Sequence, residues 1–380
     1  MMTKARANAT VALARQSVPA RALATYARGV VTYSGGRHFM RQHENAFDLL
    51  RIIAASMVLW SHQHDLMGLP DAGVSLYRVS LGGLGVFIFF VISGYLNTLS
   101  VIRHQSILHF LLGRTLRIYP ALIICTAFAV VLGACFAPDL AAYFDHELLA
   151  FIGKDVTLLT GIKAGLSHAV FVGNAMPNAL NGSLWTLPYE VRMYVVLAIC
   201  FLALRFNPML ALFVSTAAVL FVGFSPLESI WLQFSALFIA GCFVAAVQKV
   251  TGLTAALFAA LMLSLLFFVA GRELMILYLL LTAAVIAIGS VRLPYWLRPP
   301  VDLSYAIYLY AFPVQQVSAR LTGNFWAALA LAATATFGLA FLSALLIERP
   351  AQRMGPDLLR WLQEQILAAA GKRPAGSVSN

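Results

Sequence analysis

Residues 47–68 read FDLLRIIAASMVLWSHQHDLMG, the first long apolar run of the chain. Arg51 and His62 lie in it, eleven positions apart. At ~100° per residue, eleven steps along an α-helix return nearly to the same face, ~16 Å further on. If the run spans a membrane, Arg51 sits near one surface and His62 near mid-bilayer, both facing the same way. A titratable imidazole at that depth is costly to hold and marks a place to look for function.

Composition extends this reading to the whole chain. The 380 residues are 61% hydrophobic and only 11% charged, whereas soluble domains carry about 25% charged residues. A soluble fold would lack the polar surface to cover itself. The apolar stretches are continuous rather than alternating, which argues against a porin-type barrel. The expected fold is all-α, a polytopic helical membrane protein. Ten runs, near 47–67, 83–101, 117–136, 184–204, 208–224, 229–248, 252–270, 273–291, 301–320 and 325–347, are long enough or nearly so to span.

The net charge of +11 does not point to nucleic acid, because the basic residues cluster at run ends and in both tails. One side of a ten-span topology collects both tails together with Arg103, Arg114, Arg117, Arg205, Lys249, Arg292 and Arg298. The other side holds only Arg78, Lys154, Lys163, Arg192, Arg272 and Arg320. This asymmetry assigns both tails to the cytoplasm. Residues 1–45 read as a disordered basic cytoplasmic tail rather than a cleaved signal peptide. Residues 46–349 form the transmembrane domain, with one long non-cytoplasmic loop at 137–183, and residues 350–380 form an amphipathic cytoplasmic helix and tail. Cys125, Cys135, Cys200 and Cys242 fall in or beside apolar runs with no metal or disulfide spacing.

His62 is the principal candidate for chemistry. Asp65, three positions on, lies on a nearby face and could orient the ring. The ordinary alternative is a packing histidine, with His64 and Asp65 as interfacial polar residues. The HQH spacing splays two ligands and no HExxH occurs, so no metal site is expected. In FLLGRTLRIYP (110–120), Arg114 and Arg117 share a helix face. They are either positive-side anchors or a clamp for phosphates. In GGLGVFIFFVISGYL (82–96), Ser93 and Gly94 are small residues that permit close helix packing. GSLWTLPYEVRMY (182–194) opens the fourth run, with Trp185 and Tyr189 as interface anchors. Glu190 there suits binding of a hydroxylated acceptor or positioning of the histidine.

Together these segments resemble the acyltransferase family 3 of integral membrane O-acyltransferases, from about Phe47 to Arg353. The resemblance rests on DLLRIIAASMVLWSH, FFVISGYL, RTLRIYP, SLWTLPYEVRMY, LSYAIYLYAFP and IERP, in that order. It implies transfer of an acyl group, most often acetyl, from cytoplasmic acyl-CoA to a hydroxyl. The acceptor would be a carbohydrate such as an exopolysaccharide, O-antigen or lipo-oligosaccharide, and the setting the bacterial inner membrane. It implies His62 as the catalytic histidine, with Glu190 the second catalytic residue in the acceptor-side polar set. Arg51, Arg114 and Arg117 would bind the CoA, and Trp185, Tyr189 and Ser93 the acceptor. No permanently bound cofactor is expected; acyl-CoA, the glycan and membrane lipids are the expected partners. The chain departs from the family pattern at Ala311, where a histidine is usual, at Thr186 in place of Ser, and at Arg192. A proton-coupled transporter is the rival reading, but no inverted repeat supports it. A non-catalytic polysaccharide-assembly subunit, the other rival, would tolerate loss of His62.

Overall fold

The computed structural model describes residues 44–70, 79–158 and 161–369. The tail expected over 1–45 and the last residues of the 350–380 segment lie almost wholly outside these ranges. Every expected apolar run is a helix. Among the described residues no strand forms, only the isolated bridges Asn45–Arg292 and Gly165–Ala179. The helices are α1 (Phe47–Leu66), α2 (Leu81–His104), α3 (Ile107–Phe136), α4 (Leu140–Tyr143), α5 (His146–Thr157), α6 (Leu187–Ala203), α7 (Pro208–Phe224) and α8 (Ile230–Thr251). Then follow α9 (Leu253–Val269), α10 (Glu273–Gly289), α11 (Ser304–Thr322), α12 (Phe325–Ser343), α13 (Arg349–Arg353) and α14 (Gly355–Ala369). A 3-10 turn at Ser183–Thr186 leads into α6, and a π-turn at Ala344–Glu348 joins α12 to α13.

The sequence starts these helices with local chemistry. Ser80, Ser106, Asn207, Ser229 and Asn324 each accept a backbone N–H of the following turn through the side-chain oxygen. Pro208 falls in the first turn of α7, where its missing N–H costs nothing.

Among the described residues, five helical stretches are long and apolar enough to cross a membrane: Leu81–His104, Ile107–Phe136, Ser183–Ala203, Ile230–Thr251 and Phe325–Ala369. α7, α9 and α10 are equally apolar but shorter. Phe213, Phe221, Phe258, Phe268 and Val269 point outward and exposed, a surface suited to lipid rather than water. The protein is a helical membrane protein. α1 and α11 differ from the rest. α11 buries Ser304, Gln315, Gln316 and Ser318, and it packs against α1 and α12. Polar side chains at such depth belong inside a bundle.

α2 lies against α1 and α8. Its crossing with α8 is close because both helices lack a side chain there. A Cβ on Gly94 would collide with the Phe238 carbonyl, and one on Gly241 would meet the Val91 carbonyl at 2.5 Å.

The 137–183 segment has a small core of its own, built from Tyr143, Leu148, Phe151, Leu166, Val170, Phe171 and Leu180. Asp139 and Asp145 cap its two helices. Asp155 is buried there and accepts the Lys163 N–H at 2.9 Å. Burial pushes its carboxyl up to about 7, against the opposing pull of that hydrogen bond. The segment is fastened to α11: Asn181 donates to the Leu309 carbonyl at 3.1 Å, and Gln316 donates to the Met176 and Ala179 carbonyls at 2.7 and 2.8 Å.

Candidate active site

The site grows from the ends of helices that meet at one end of the bundle. The start of α1, the end of α2, the start of α3, the linker into α11 and the turn after α12 together line a cavity of about 1050 Å³. That volume lies at the top of the ~300–1,000 Å³ range of small-molecule pockets and leaves room for a nucleotide-sized ligand. Its lining follows α2 from His104 to Val86, ~27 Å at 1.5 Å per residue. Exposed Arg103 and Arg353 stand at its outer end.

Arg51, Arg114 and Arg117 all line this cavity. Arg117 donates to Asp302 at 2.6 Å and faces Glu348 at 3.3 Å. Arg51 pairs with Asp48 at 3.2 Å and lies 3.6 Å from Asp302. Asp302 in turn accepts the Ser304 N–H at 3.0 Å and the Ser304 hydroxyl at 2.6 Å, which fixes its carboxylate at the start of α11. Arg114 lies 5.9 Å from the centre of the Tyr194 ring.

Further in, Ser93 and Glu190 meet. Ser93 Oγ donates to Glu190 Oε1 at 2.9 Å, and the Tyr194 hydroxyl donates to the same oxygen. Tyr194 is four residues from Glu190 in α6, so the two share a face. Thr186 and Tyr308 close the inner wall. The Tyr308 hydroxyl donates to the Ser183 carbonyl, and the Thr186 hydroxyl lies 2.6 Å from the Tyr308 hydroxyl. The hydroxyl that Thr186 retains is therefore used, and its exchange for the usual Ser leaves this contact intact.

His62 does not line the cavity. Arg51 already lies one turn inside α1, so His62 falls near the opposite end of the helix, four residues before its last residue, rather than at its middle. Next to it, Ser61 accepts the Gly82 N–H at the start of α2. The His62 ring meets Phe312 edge to face, centres 5.3 Å apart. Its Nδ1 is 3.8 Å from the Asp65 carboxylate, ion-pair rather than hydrogen-bond range. Phe312 is fully buried one turn beyond Tyr308 on α11 and packs with Leu66 and Ala179. It also sits so close to Gly182 that a Cβ there would be 2.6 Å from the ring. Phe312 is thus the side chain in contact with His62 on the helix that also walls the cavity. Gln315, one turn away from Ala311, donates to the Leu59 carbonyl at 2.7 Å and to Gln63 at 3.0 Å, so polar contact from α11 to α1 persists although Ala311 offers none.

Trp185 and Tyr189 also stand outside the cavity. They form an aromatic cluster with Phe234, ring centres 5.6 and 5.5 Å away, and Tyr189 stacks toward Trp231 at 5.6 Å. Arg192 lies over the Tyr189 ring at 6.0 Å. His64 is engaged by the Trp60 carbonyl and by Phe325. The structure therefore brings Arg51, Arg114, Arg117, Ser93 and Glu190 together in one chamber, and keeps His62, Trp185 and Tyr189 apart from it.

Sequence reading missed Asp302, Glu348, Tyr194, Tyr308 and Phe312. Tyr194, Tyr308, Phe312 and Glu348 all stood within the quoted motifs, Glu348 in IERP itself. Except for Glu190, one turn from Tyr194, and Ser304, two residues from Asp302, their partners lie on distant parts of the chain and were invisible.

A family model for the acyltransferase domain, Acyl_transf_3, matches residues 44–349. The chain belongs to this acyltransferase family. It is 32% identical over 324 residues to an O-acetyl transferase of Shigella phage Sf6, covering 80% of this chain and 95% of that protein. It is 33% identical over 162 residues to Nodulation protein 10 of Rhizobium leguminosarum bv. viciae, covering 41% of this chain and 43% of that protein. No solved structure matches it.

Proposed function

We propose that the protein is an acyl-CoA-dependent O-acyltransferase that moves an acyl group, acetyl first among candidates, onto a hydroxyl of a surface or secreted carbohydrate. One observation carries this reading: a single chamber lined with Arg51, Arg114 and Arg117 at one end of the bundle runs inward toward the helix that bears Phe312 and, beyond it, His62. CoA carries phosphates, and arginines recognise phosphate oxygens well. The phage relative's name supports acetyl as the group transferred. In this reading ten helices span a bacterial inner membrane, the arginine end faces the cytoplasm with both tails, and the His62 end faces the glycan acceptor.

His62 then acts as general base. Neutral imidazole has a basicity near that needed to take a proton from a hydroxyl attacking a thioester. The carbohydrate oxygen bonds to the acyl carbon, the carbon–sulfur bond breaks, and CoA thiolate leaves to be protonated. Glu190, held by Ser93 and Tyr194, orients the donor's arm within the chamber. Trp185 and Tyr189 are aromatic faces of the kind sugars stack on, suited to the acceptor.

The test is acceptor-dependent release of CoA. Purified protein in detergent, given acetyl-CoA and glycans of defined structure, should release CoA and yield O-acetylated glycan by mass spectrometry. Glycan or proton movement across vesicles without CoA release would overturn the reading in favour of transport.

A further inference from the structure

Arg114 and Arg117 share a helix face, yet their surroundings are opposite. Arg117 lies between Asp302 at 2.6 Å and Glu348 at 3.3 Å. Arg51 shares Asp302 and has Asp48 besides. Two guanidinium groups are thus enclosed by three carboxylates, on four different parts of the chain. Among the described residues Arg114 makes no direct ion pair: it feels Glu190 only through space, lies 5.9 Å from the centre of the Tyr194 ring, and its buried Nε has no hydrogen-bond partner. A guanidinium with a buried N–H unpaired and no carboxylate in direct contact is costly, and a ligand anion would relieve it. An anion approaching Arg117 meets a guanidinium already ion-paired with two carboxylates; one approaching Arg114 meets a guanidinium with no carboxylate in direct contact.

We propose that the two arginines divide the work. Arg114 contacts the anionic part of the CoA donor directly. Arg117 is a positioning residue that, through Asp302 and Glu348, holds α1, α3, the start of α11 and the turn after α12 around the chamber. This rests on the acyl-CoA reading above.

Removing one member of a buried ion pair strands its partner, whereas removing both charges is often tolerated. Glu348 is 2% exposed, so Arg117→Met strands it, and adding Glu348→Gln relieves it while Asp302 keeps Arg51. The experiment measures CoA binding by calorimetry, its salt dependence, and the melting temperature, all on the full chain in detergent. Arg114→Met should weaken CoA roughly 10- to 100-fold with the melting temperature nearly unchanged, as loss of a charged hydrogen-bond donor predicts. Its affinity should also fall less with salt than that of wild type. Arg117→Met should lower both melting temperature and affinity. The Arg117→Met/Glu348→Gln protein should regain the wild-type melting temperature and salt dependence, with CoA affinity within about threefold.

A double variant that is stable yet binds CoA as weakly as Arg114→Met would overturn the division, since Arg117 would then be a direct contact. Failure of Glu348→Gln to restore stability would overturn the positioning role. Wild-type protein that binds no CoA would instead sink the donor reading, and the melting temperatures would still decide the role of Arg117.

Discussion

The two ends of α1 are built on different principles. At the Arg51 end the bundle opens into a wide chamber where charges meet charges across four segments of chain. At the His62 end it is more tightly packed: half-buried His62 with an aromatic ring against it, buried His64 against Phe325, amide contacts between Gln63 and Gln315, and the 137–183 segment fastened to Phe312 and Gln316. The first design suits capture of a large anion that arrives from water. The second suits the proposed proton transfer to a half-buried imidazole. Phe312 belongs to both, since its helix walls the chamber and its ring touches His62.

The largest effect should come from the His62 end. His62→Ala should lower acyl transfer by about 10²–10⁴-fold, the usual worth of a general base, without altering CoA binding at the other end. Equal loss of CoA binding would erase the distinction between the two ends. Glu190→Gln, at the inner part of the chamber, should cost roughly 10-fold in turnover, because Ser93 and Tyr194 lose a charged acceptor.

Phe312→Ala sharpens the comparison at the boundary. It should destabilise the protein by about 3–5 kcal/mol, the usual cost of deleting a buried ring. In the surviving folded fraction, the space opened beside His62 should raise turnover of butyryl-CoA relative to acetyl-CoA by about 10-fold. A uniform loss with both donors would mean that the ring does not limit what reaches His62.

The smallest effect lies in the segment fastened to the His62 end. The Asp155 carboxyl is raised by burial to about 7 in the folded protein. A raised carboxyl favours the folded state at low pH, and that stability is lost as pH rises from its ordinary unfolded value through 7. The melting temperature of wild type should therefore fall by a few degrees between pH 5 and pH 8, and that of Asp155→Asn should fall less. Equal pH dependence in the two proteins would place the titration elsewhere.

Apolar run length made the helices legible in the sequence, and Ser93–Gly94 announced a close crossing that Gly94 indeed makes with α8. The arginines were legible as a group because charge collects at run ends. What could not be read was depth and partnership. The eleven-residue step from Arg51 placed His62 three turns along the helix but not relative to its ends, because the start of α1 after Ala46 carries no side-chain cap that the sequence would announce. Asp302 and Glu348 gain meaning only when the linker into α11 and the turn after α12 fold onto α3, contacts that no local pattern encodes. Phe312 reads as one more aromatic in LSYAIYLYAFP until its neighbour across the helix interface is known.

The proposed separation of donor and acceptor by the length of α1 is tested most directly by a sided assay. Protein reconstituted in one orientation into sealed vesicles is given acetyl-CoA on one face and glycan on the other, and O-acetyl glycan is measured by mass spectrometry. Product is expected only with acetyl-CoA at the Arg51 face and glycan at the His62 face. Product formed only when both substrates share one face would contradict that separation.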